Sequence, residues 1–545
     1  MASGIYGIGT RALLAFKGGL TTAGHNISNV NTEGYSRQRV EFSAEVPEFV
    51  GSGYMGRGVK IGGIGRVYDR FVVEQVRTSQ SGLGRQQAYF DLAKRVDNLL
   101  GDDATALSPG LQSFFNAAQE VANDPTSHAA RQVMLTEGET LTARLQQLDG
   151  ALEDAGARVN ERLRNMAAEI NGYAEAIGNL NADIASAMGG GGSAPNDLLD
   201  QRDAVIEKLS KLVSVSVVTQ EDGMANVFVG TGQNLVLGTG TATLVVASMS
   251  EDPDLLDIGI QTPGAVVKVT EMLTGGELGG VLEFRDAMLD PTRNALGRIA
   301  IGLGSSFNDQ HILGVDLNGD PGQAFFNVPG PEIFPGAANT GSIQVGFSDP
   351  GALTLDDYRL SHDGSNWVLQ RLGDGQVVSF DSGSGTAADP YLVNGISLDV
   401  SAANTADSYI IRPTQSGAAR LGVSLTDGAQ IAARRPGAGV GDNTNALALV
   451  GLQTGLTMIG GSTDYEGAYT SLIGEVGTRT RQAQINSQGQ SKLLEGAQTR
   501  RAEISGVNLD EEAADLIRFQ QAYEAAARVI TTAQAMFDSL LAAVR

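Results

Sequence analysis

The chain has no cysteine. That removes disulfides, thiolate catalysis and thiolate metal sites together, and leaves packing as the source of stability. Tryptophan occurs once, at Trp367, and histidine at four separated positions, His25, His128, His311 and His362. None of these histidines belongs to an H-E-x-x-H pair or stands beside a nucleophile motif. Acidic residues outnumber basic ones, 62 against 38, for a net charge of -24. Binding a phosphate backbone needs clustered cations, so nucleic acid is excluded as a partner. The sequence has no run of about 18 apolar residues that could span a bilayer, and no basic, apolar and small-residue series of a signal peptide. We expect a soluble chain without membrane insertion. If it is secreted, it leaves without a cleavable signal peptide.

Proline is sparse (15) and glycine abundant (71), which suits glycine-turned β-structure beside helices. With 545 residues, 42% of them hydrophobic, the chain divides into about three or four domains. Catalytic and cofactor signals are missing. Gly7, Gly9 and Ala12 fit a loose G-x-G-x-x-A pattern, but no strand precedes them. They read better as small residues on a helix seam. Asp316, Asn318 and Asp320 resemble half a calcium loop, but Pro321 and Asn327 stand where glycine and glutamate are needed. An Asx-rich turn is the simpler reading. We expect no enzyme, no cofactor and no metal.

What is present is heptad periodicity at both ends. Near the N-terminus, Tyr6, Leu13, Leu20 and Ile27 form one row, and Gly9, Phe16, Ala23 and Val30 a second. At the C-terminus the rows are Leu509, Leu516, Tyr523, Ile530, Phe537 and Glu512, Phe519, Ala526, Ala533, Leu540. Both ends read as amphipathic helices that pair as a coiled coil. The adjacent pairs Leu516-Ile517, Val529-Ile530, Met536-Phe537 and Leu540-Leu541 widen the C-terminal apolar face beyond one partner's reach. Two seams alone do not offset the entropy of ordering these ends, so neighbouring copies are implied. The candidate assembly surface is Tyr6, Leu13, Phe16, Leu20, Ile27, Val30, Leu509, Leu516, Phe519, Tyr523, Ile530, Phe537 and Leu540. Asp510, Glu511 and Glu512 open the terminal helix and read as a cap interacting with its dipole.

Between the ends, a hairpin is expected over Gly51 to Arg66, then a helix over Asp69 to Leu100, then one entered through Ser108 and Pro109. A long rod follows from Leu141 to Ile184, with a stutter at Ala155, Val159 and Leu163, and it stops at the run Gly189 to Gly192. A helix over Asp197 to Leu212 folds back, small strands follow, and helix returns near Gly279 to His311. From Asp320 to Arg412 the pattern is strand-rich, with Trp367 as a core anchor. Helix resumes over Asn443 to Gln453 and Tyr465 to Thr499.

The stretch AGHNISNVNTEGYSRQ (Ala23 to Gln38) resembles the N-terminal signature of the bacterial flagellar rod, hook and hook-associated proteins. SGVNLDEEAADLIRFQQAYEAAARVITTAQAMFDSLL (Ser505 to Leu541) and APNDLLDQRDAVIEKLSKLVSV (Ala194 to Val215) resemble the members at the hook-filament junction, with hook protein the nearest rival within the family. The resemblance extends through Gly275 to Ala300, Gly110 to Phe115 and Asp407 to Thr414. It implies a structural adapter in the extracellular flagellum, secreted by type III export and self-assembling into an axial layer. Implied partners are hook protein below, a second junction protein above, and a cytoplasmic export chaperone on the C-terminal helix. The alternative of another class is an extracellular adhesive or carbohydrate-binding protein that uses the β insert and Trp367.

The expected fold is α+β and multidomain. Residues 1–45 with 505–545 form a terminal coiled-coil inner-tube domain. Residues 46–319 with 413–504 form a wall of long helices and small β sheets, and 320–412 an inserted outer β domain.

Overall fold

The computed structural model describes residues 2–544 except 50, 52, 103–104 and 190–193. Of the expected helix stop at Gly189 to Gly192, Gly189 is described and the rest lies outside the described residues. The path is out and back. Helix α1 (Ala2–Ser28) leads into strands β1 (Gln38–Ala44), β2 (Glu48–Phe49), β3 (Tyr54–Met55) and β4 (Val59–Arg66). β3 pairs back on β2 and β4 on β1, so the glycine-rich segment is not a hairpin closed on itself.

Helices α2 (Arg70–Gly101), α3 (Leu107–Asn123), α4 (His128–Gly189) and α5 (Asn196–Leu212) build the body. Asp69 caps α2 by accepting from the amides of Phe71 and Val72. At α3 the sequence reading needs correcting. Ala106 holds the cap position without a side-chain bond, while Ser108 sits inside the first turn and donates to Glu466 instead (2.5 Å). α4 starts well before Leu141, because the polar surface of its first turns hides a buried row of Arg131, Met134, Leu135 and Gly138.

Two small antiparallel sheets follow, of four strands (215–241) and three (243–268). Asn181 of α4 fastens the first sheet. Its Nδ2 donates to the carbonyls of Ala225 and Gly238, and its Oδ1 accepts from the Ala225 amide and from Arg202. The expected helix over Gly279 to His311 is α6 (Gly276–Phe284) and α7 (Asp290–His311), joined without a break by a π-helical turn, Arg285–Leu289. Pro291 explains the turn. Its missing N–H and its ring cannot be fitted into regular α-helix without clashing with the turn before it, and one wider turn absorbs the misfit. α6 crosses α2 on glycine, since a Cβ at Gly280 would lie 2.2 Å from the Arg85 carbonyl.

After a single turn, α8 (Gly417–Arg420), the chain returns through α9 (Thr444–Gly451), α10 (Tyr465–Ser505) and α11 (Leu509–Val544). The body core is one apolar cluster running along α2 to α7 and α10. At its centre Phe114 meets Phe307, Phe325 and Phe326, with ring centroids 5.2 to 5.7 Å apart. Phe325 and Phe326 thus pack in the body. His311 is wholly buried there, with Nδ1 donating to the Gln323 carbonyl and Nε2 accepting from Ala432, and burial pushes its pKa down to about 4.

The insert has its own core, built on a five-stranded sheet (Glu332–Pro335, Ser408–Arg412, Tyr358–His362, Trp367–Arg371, Val377–Val378, in spatial order) and a three-stranded one. Trp367 lies opposite His362 across the hairpin and packs against this core. The insert meets the body through Ile301 of α7, which is buried in the insert core, and through a set of polar contacts. Arg412 reaches Asp252 (2.5 Å) and Asp357 (3.6 Å), Asn294 donates to Asp357 (3.2 Å), and Glu251 takes Arg359 and Ser408.

Burial pushes the Asp357 carboxyl up to about 7 and that of Asp290 up to about 6, against the opposing pull of Arg412. Carboxyls with raised folded-state pKa values contribute stability that is complete in acid and is lost as pH rises through those values. The Tm of the native chain, relative to that of Asp357→Asn, should therefore fall between about pH 4 and about pH 7 and level off above that. A shift of roughly ten degrees is expected, since a rise of about three pKa units is about 4 kcal/mol and about 1 kcal/mol moves a large domain by about 2–4 °C. A pH-independent difference would assign the joint to neutral contacts.

Candidate assembly site: the joint of the terminal helices

α1 and α11 pack antiparallel. A Cβ built at Gly9 would touch Ile530 (2.7 Å), one at Gly19 would touch the Phe519 ring (3.0 Å), and Asn26 bonds Glu512. The buried residues of the pair are small or polar: Gly9, Ala15, Gly19, Thr22, Ala23 and Asn26 on α1, and Glu512, Ala526 and Ala533 on α11. The second C-terminal heptad row thus faces α1, joined by Ile530 from the first.

Of the candidate assembly residues, Leu13, Phe16, Leu20, Ile27, Val30, Leu516, Phe519 and Ile530 are half-buried. Tyr6, Leu509, Tyr523, Phe537 and Leu540 are exposed, Phe537 by 53% and Leu540 by 57%. Phe42 of β1 was not singled out from the sequence. Its ring stands between Phe16 (6.0 Å) and Phe519 (5.8 Å) at a bulge in the β1–β4 register, and so bridges the two helices.

The turn after α1 is organised by Asn26. Its Nδ2 donates to the Gln38 carbonyl (2.9 Å) and to Glu512 (3.0 Å), and its Oδ1 accepts from the Gln38 amide (2.9 Å) and the Tyr35 hydroxyl (2.7 Å). All four hydrogen-bonding positions of the carboxamide are taken. The Tyr35 hydroxyl also meets His25 Nδ1 (3.1 Å), and burial beside Asp197, Asp200 and Glu512 raises its pKa. Gly34, at φ 80, makes the turn that brings Tyr35 back.

Arg37 ties two members of the acidic triplet, Glu511 and Glu512. It donates to Glu512 (2.7 Å) and Glu511 (2.5 Å), and lies 4.0 Å from Asp515. Burial works against its charge, but the two glutamates raise its pKa overall. Glu512 is 2% exposed. The capping role read from the sequence is therefore too weak for it: Asn508 makes the cap bond, to the Asp510 amide, and Glu512 is a buried link between helices.

The same turn docks on the body through α5. Residues 196, 197, 200 and 203 lie along one face of that helix. Asn196 donates to Gln38 and to the Ile64 carbonyl, Asp197 accepts from Gln38, and Asp200 accepts from the Ser36 amide and from Arg66 (2.6 Å). Asp203 binds Arg66 and Arg77, both at 3.0 Å. Burial raises the Asp200 pKa despite Arg66. Arg202 points the other way, into the first sheet. Of the three strings quoted for the sequence resemblance, Ala23 to Gln38 thus touches both Ala194 to Val215 and Ser505 to Leu541. Elsewhere, the Asp316 carboxylate accepts from the amides of Gly319 and Asp320, as an Asx turn does. Among the described residues no helix is long and apolar enough to cross a membrane.

With this geometry in place, the chain can be compared with known proteins. It is 34% identical over 538 residues to the flagellar hook-associated protein 1 of Escherichia coli K12, covering 97% of each. The chain belongs to the flagellar hook-associated protein 1 family. The Bacillus subtilis hook-associated protein 1 is 25% identical, with 99% of this chain and 98% of that protein covered. Family models match the hook-associated protein FlgK helical domain at 93–326 and the hook-associated protein 1 D2-like domain at 335–413. A model of the flagellar basal body rod FlgEFG C-terminal region matches 498–543, which is α11 with the end of α10. The structure of the flagellar hook junction protein FlgK from Burkholderia pseudomallei is similar at a TM-score of 0.73 and 25% identity, covering 79% of this chain and all of that one. As a hook-associated protein 1 the chain is a structural component of the flagellum, not an enzyme.

The docking of the turn on α5 generates a local prediction. Arg66→Ala leaves Asp200, 8% exposed, without its cation. Breaking such a buried pair costs about 3–5 kcal/mol. Hydrogen exchange at β1 and β4 should then quicken by roughly a hundredfold or more, while the body amides stay protected. Unchanged exchange at β1 and β4 would show that the ribbon is held by other contacts.

Proposed function

We propose that this protein is the structural adapter between hook and filament, and that it assembles into an axial layer through its paired terminal helices. The observation that carries this reading is the inverted burial of α11. Alanines and Glu512 lie against α1, while Ile517, Tyr523, Val529, Met536, Phe537, Leu540 and Leu541 face solvent. A helix that exposes its largest apolar side chains needs further neighbours. The thirteen candidate assembly residues divide accordingly: the half-buried ones close the pair, and the exposed ones meet adjacent copies. Hook protein lies below the layer and the second junction protein above. A cytoplasmic export chaperone covers α11 before secretion. The terminal pair forms the inner tube, residues 46–319 with 413–504 the wall, and the insert faces outward. The Trp367 ring packs on the insert core, which supports the anchor role over the adhesive alternative.

Ile530→Asp tests whether assembly needs the closed helix pair. It places a carboxylate against Gly9, at a cost of several kcal/mol unless it is protonated or paired. The body core lies elsewhere, so the Tm of the purified chain should hardly move, while cells complemented with the variant carry hooks without filaments and shed the subunit. Normal filament numbers would overturn the reading. A second variant replaces 336–407, within the insert, by a short Gly/Ser linker. Its body should still fold and filaments should still attach; a folded, exported variant without filaments would place an essential axial contact in the insert.

A further inference from the structure

The apolar side chains of α1 and α11 repeat in heptads, so by themselves they leave the register of the pair open to a slide of seven residues. Gly9 lies against Ala526 and Ile530, and with Ala533 and Phe537 in their places it would again meet one small and one large residue. Such a slide takes the Phe519 ring off Gly19. It also separates one polar group from its partners. Glu512 would leave Asn26 and Arg37, and both it and the carboxamide, 2% and 1% exposed, would remain buried with bonds unmade.

We propose that Asn26, Arg37 and Glu512 form a clamp that sets the register of the terminal helix pair. The proposal deepens the assembly reading and rests on it for its biological consequence. A buried polar group on an otherwise apolar seam makes wrong registers costly, because its donors and acceptors go unpaired everywhere else. Here the clamp is also fixed to the rest of the chain. The Arg37 amide donates to the Ser505 carbonyl at the end of α10, and its carbonyl accepts from Val67 after β4. The Asn26 carboxamide is held from both sides by Gln38. Register and docking are therefore decided at one point, and the exposed side chains of α11 are presented at a fixed height relative to the body. Asn26, Arg37 and Glu512 are positioning residues in this scheme.

The absence of cysteine makes the register directly measurable. Gly9→Cys is combined in turn with Ile530→Cys or, with Ile530→Ala added to make room for the new Cβ, with Tyr523→Cys or with Phe537→Cys, the last two reporting a slide of one heptad either way. In the otherwise native purified chain, oxidation should link only the first pair. With Glu512→Ala added, the yield of the native link should fall by roughly tenfold, the factor that corresponds to about 1.4 kcal/mol, and a slid link should appear. Glu512→Gln, which keeps a hydrogen-bonding group beside Asn26, should lie between the two. Circular dichroism checks that the body remains folded. Asn26→Ala provides the independent variant, with the same expected spread of links. Native linking at full yield in both alanine variants would overturn the proposal. Filament counts in cells separate it from the assembly reading: slid links with normal filaments would leave the clamp standing and remove the requirement for the pair in assembly.

Discussion

One carboxamide connects the parts of this molecule. Asn26 accepts from and donates to Gln38, accepts from Tyr35 and donates to Glu512, and through these bonds α1, the turn after it, β1 and α11 meet at a point from which water is largely excluded. A saturated polar group in such surroundings tolerates few arrangements, because any displacement leaves a buried donor or acceptor unmade. Gly34, Tyr35 and Arg37 follow from that geometry. The turn must close back on α1, and only then does Arg37 reach Glu511 and Glu512.

The molecule uses two kinds of cohesion in different places. Along the body, α2 to α7 and α10 bury a continuous apolar core, with Phe114 and its neighbours at the centre. At both joints the contacts change character. Asp200, Asp203, Arg66 and Arg77 hold the terminal region, and Arg412, Asp252, Asp357 and Asn294 hold the insert. Ion pairs with little solvent add modest net stability but fix geometry, since a misplaced charge is costly. That division suits a structural component of the flagellum.

Much of the fold was legible because it is written in local periods. The heptads marked both terminal helices, alternating residues marked the insert, and the row from Leu145 to Ile184 marked the rod. Misreadings arose where the deciding partner was distant. Ser108 looked like a cap, but its hydroxyl is taken by Glu466 from α10. Phe325 and Phe326 stand among strand-like residues, yet their rings fill the body core. Phe42 carried no heptad position, so nothing in the sequence marked it as the bridge between Phe16 and Phe519. The clamp residues stood within the very strings that revealed the family, where they served as a signature with no chemistry attached to them.

The sequence by itself determined that the chain has no thiol chemistry, no nucleic-acid-binding charge and two amphipathic ends with more apolar surface than one partner covers. Composition and short-range spacing decide such properties. Only the tertiary structure decided which heptad row meets α1. Helices approach most closely where side chains are smallest, so Gly9, Ala23, Ala526 and Ala533 went inside and Tyr523 and Phe537 outside. It alone made Glu512 a buried link, because the hydrogen bonds that justify its burial come from Asn26 and Arg37, at the far end of the chain.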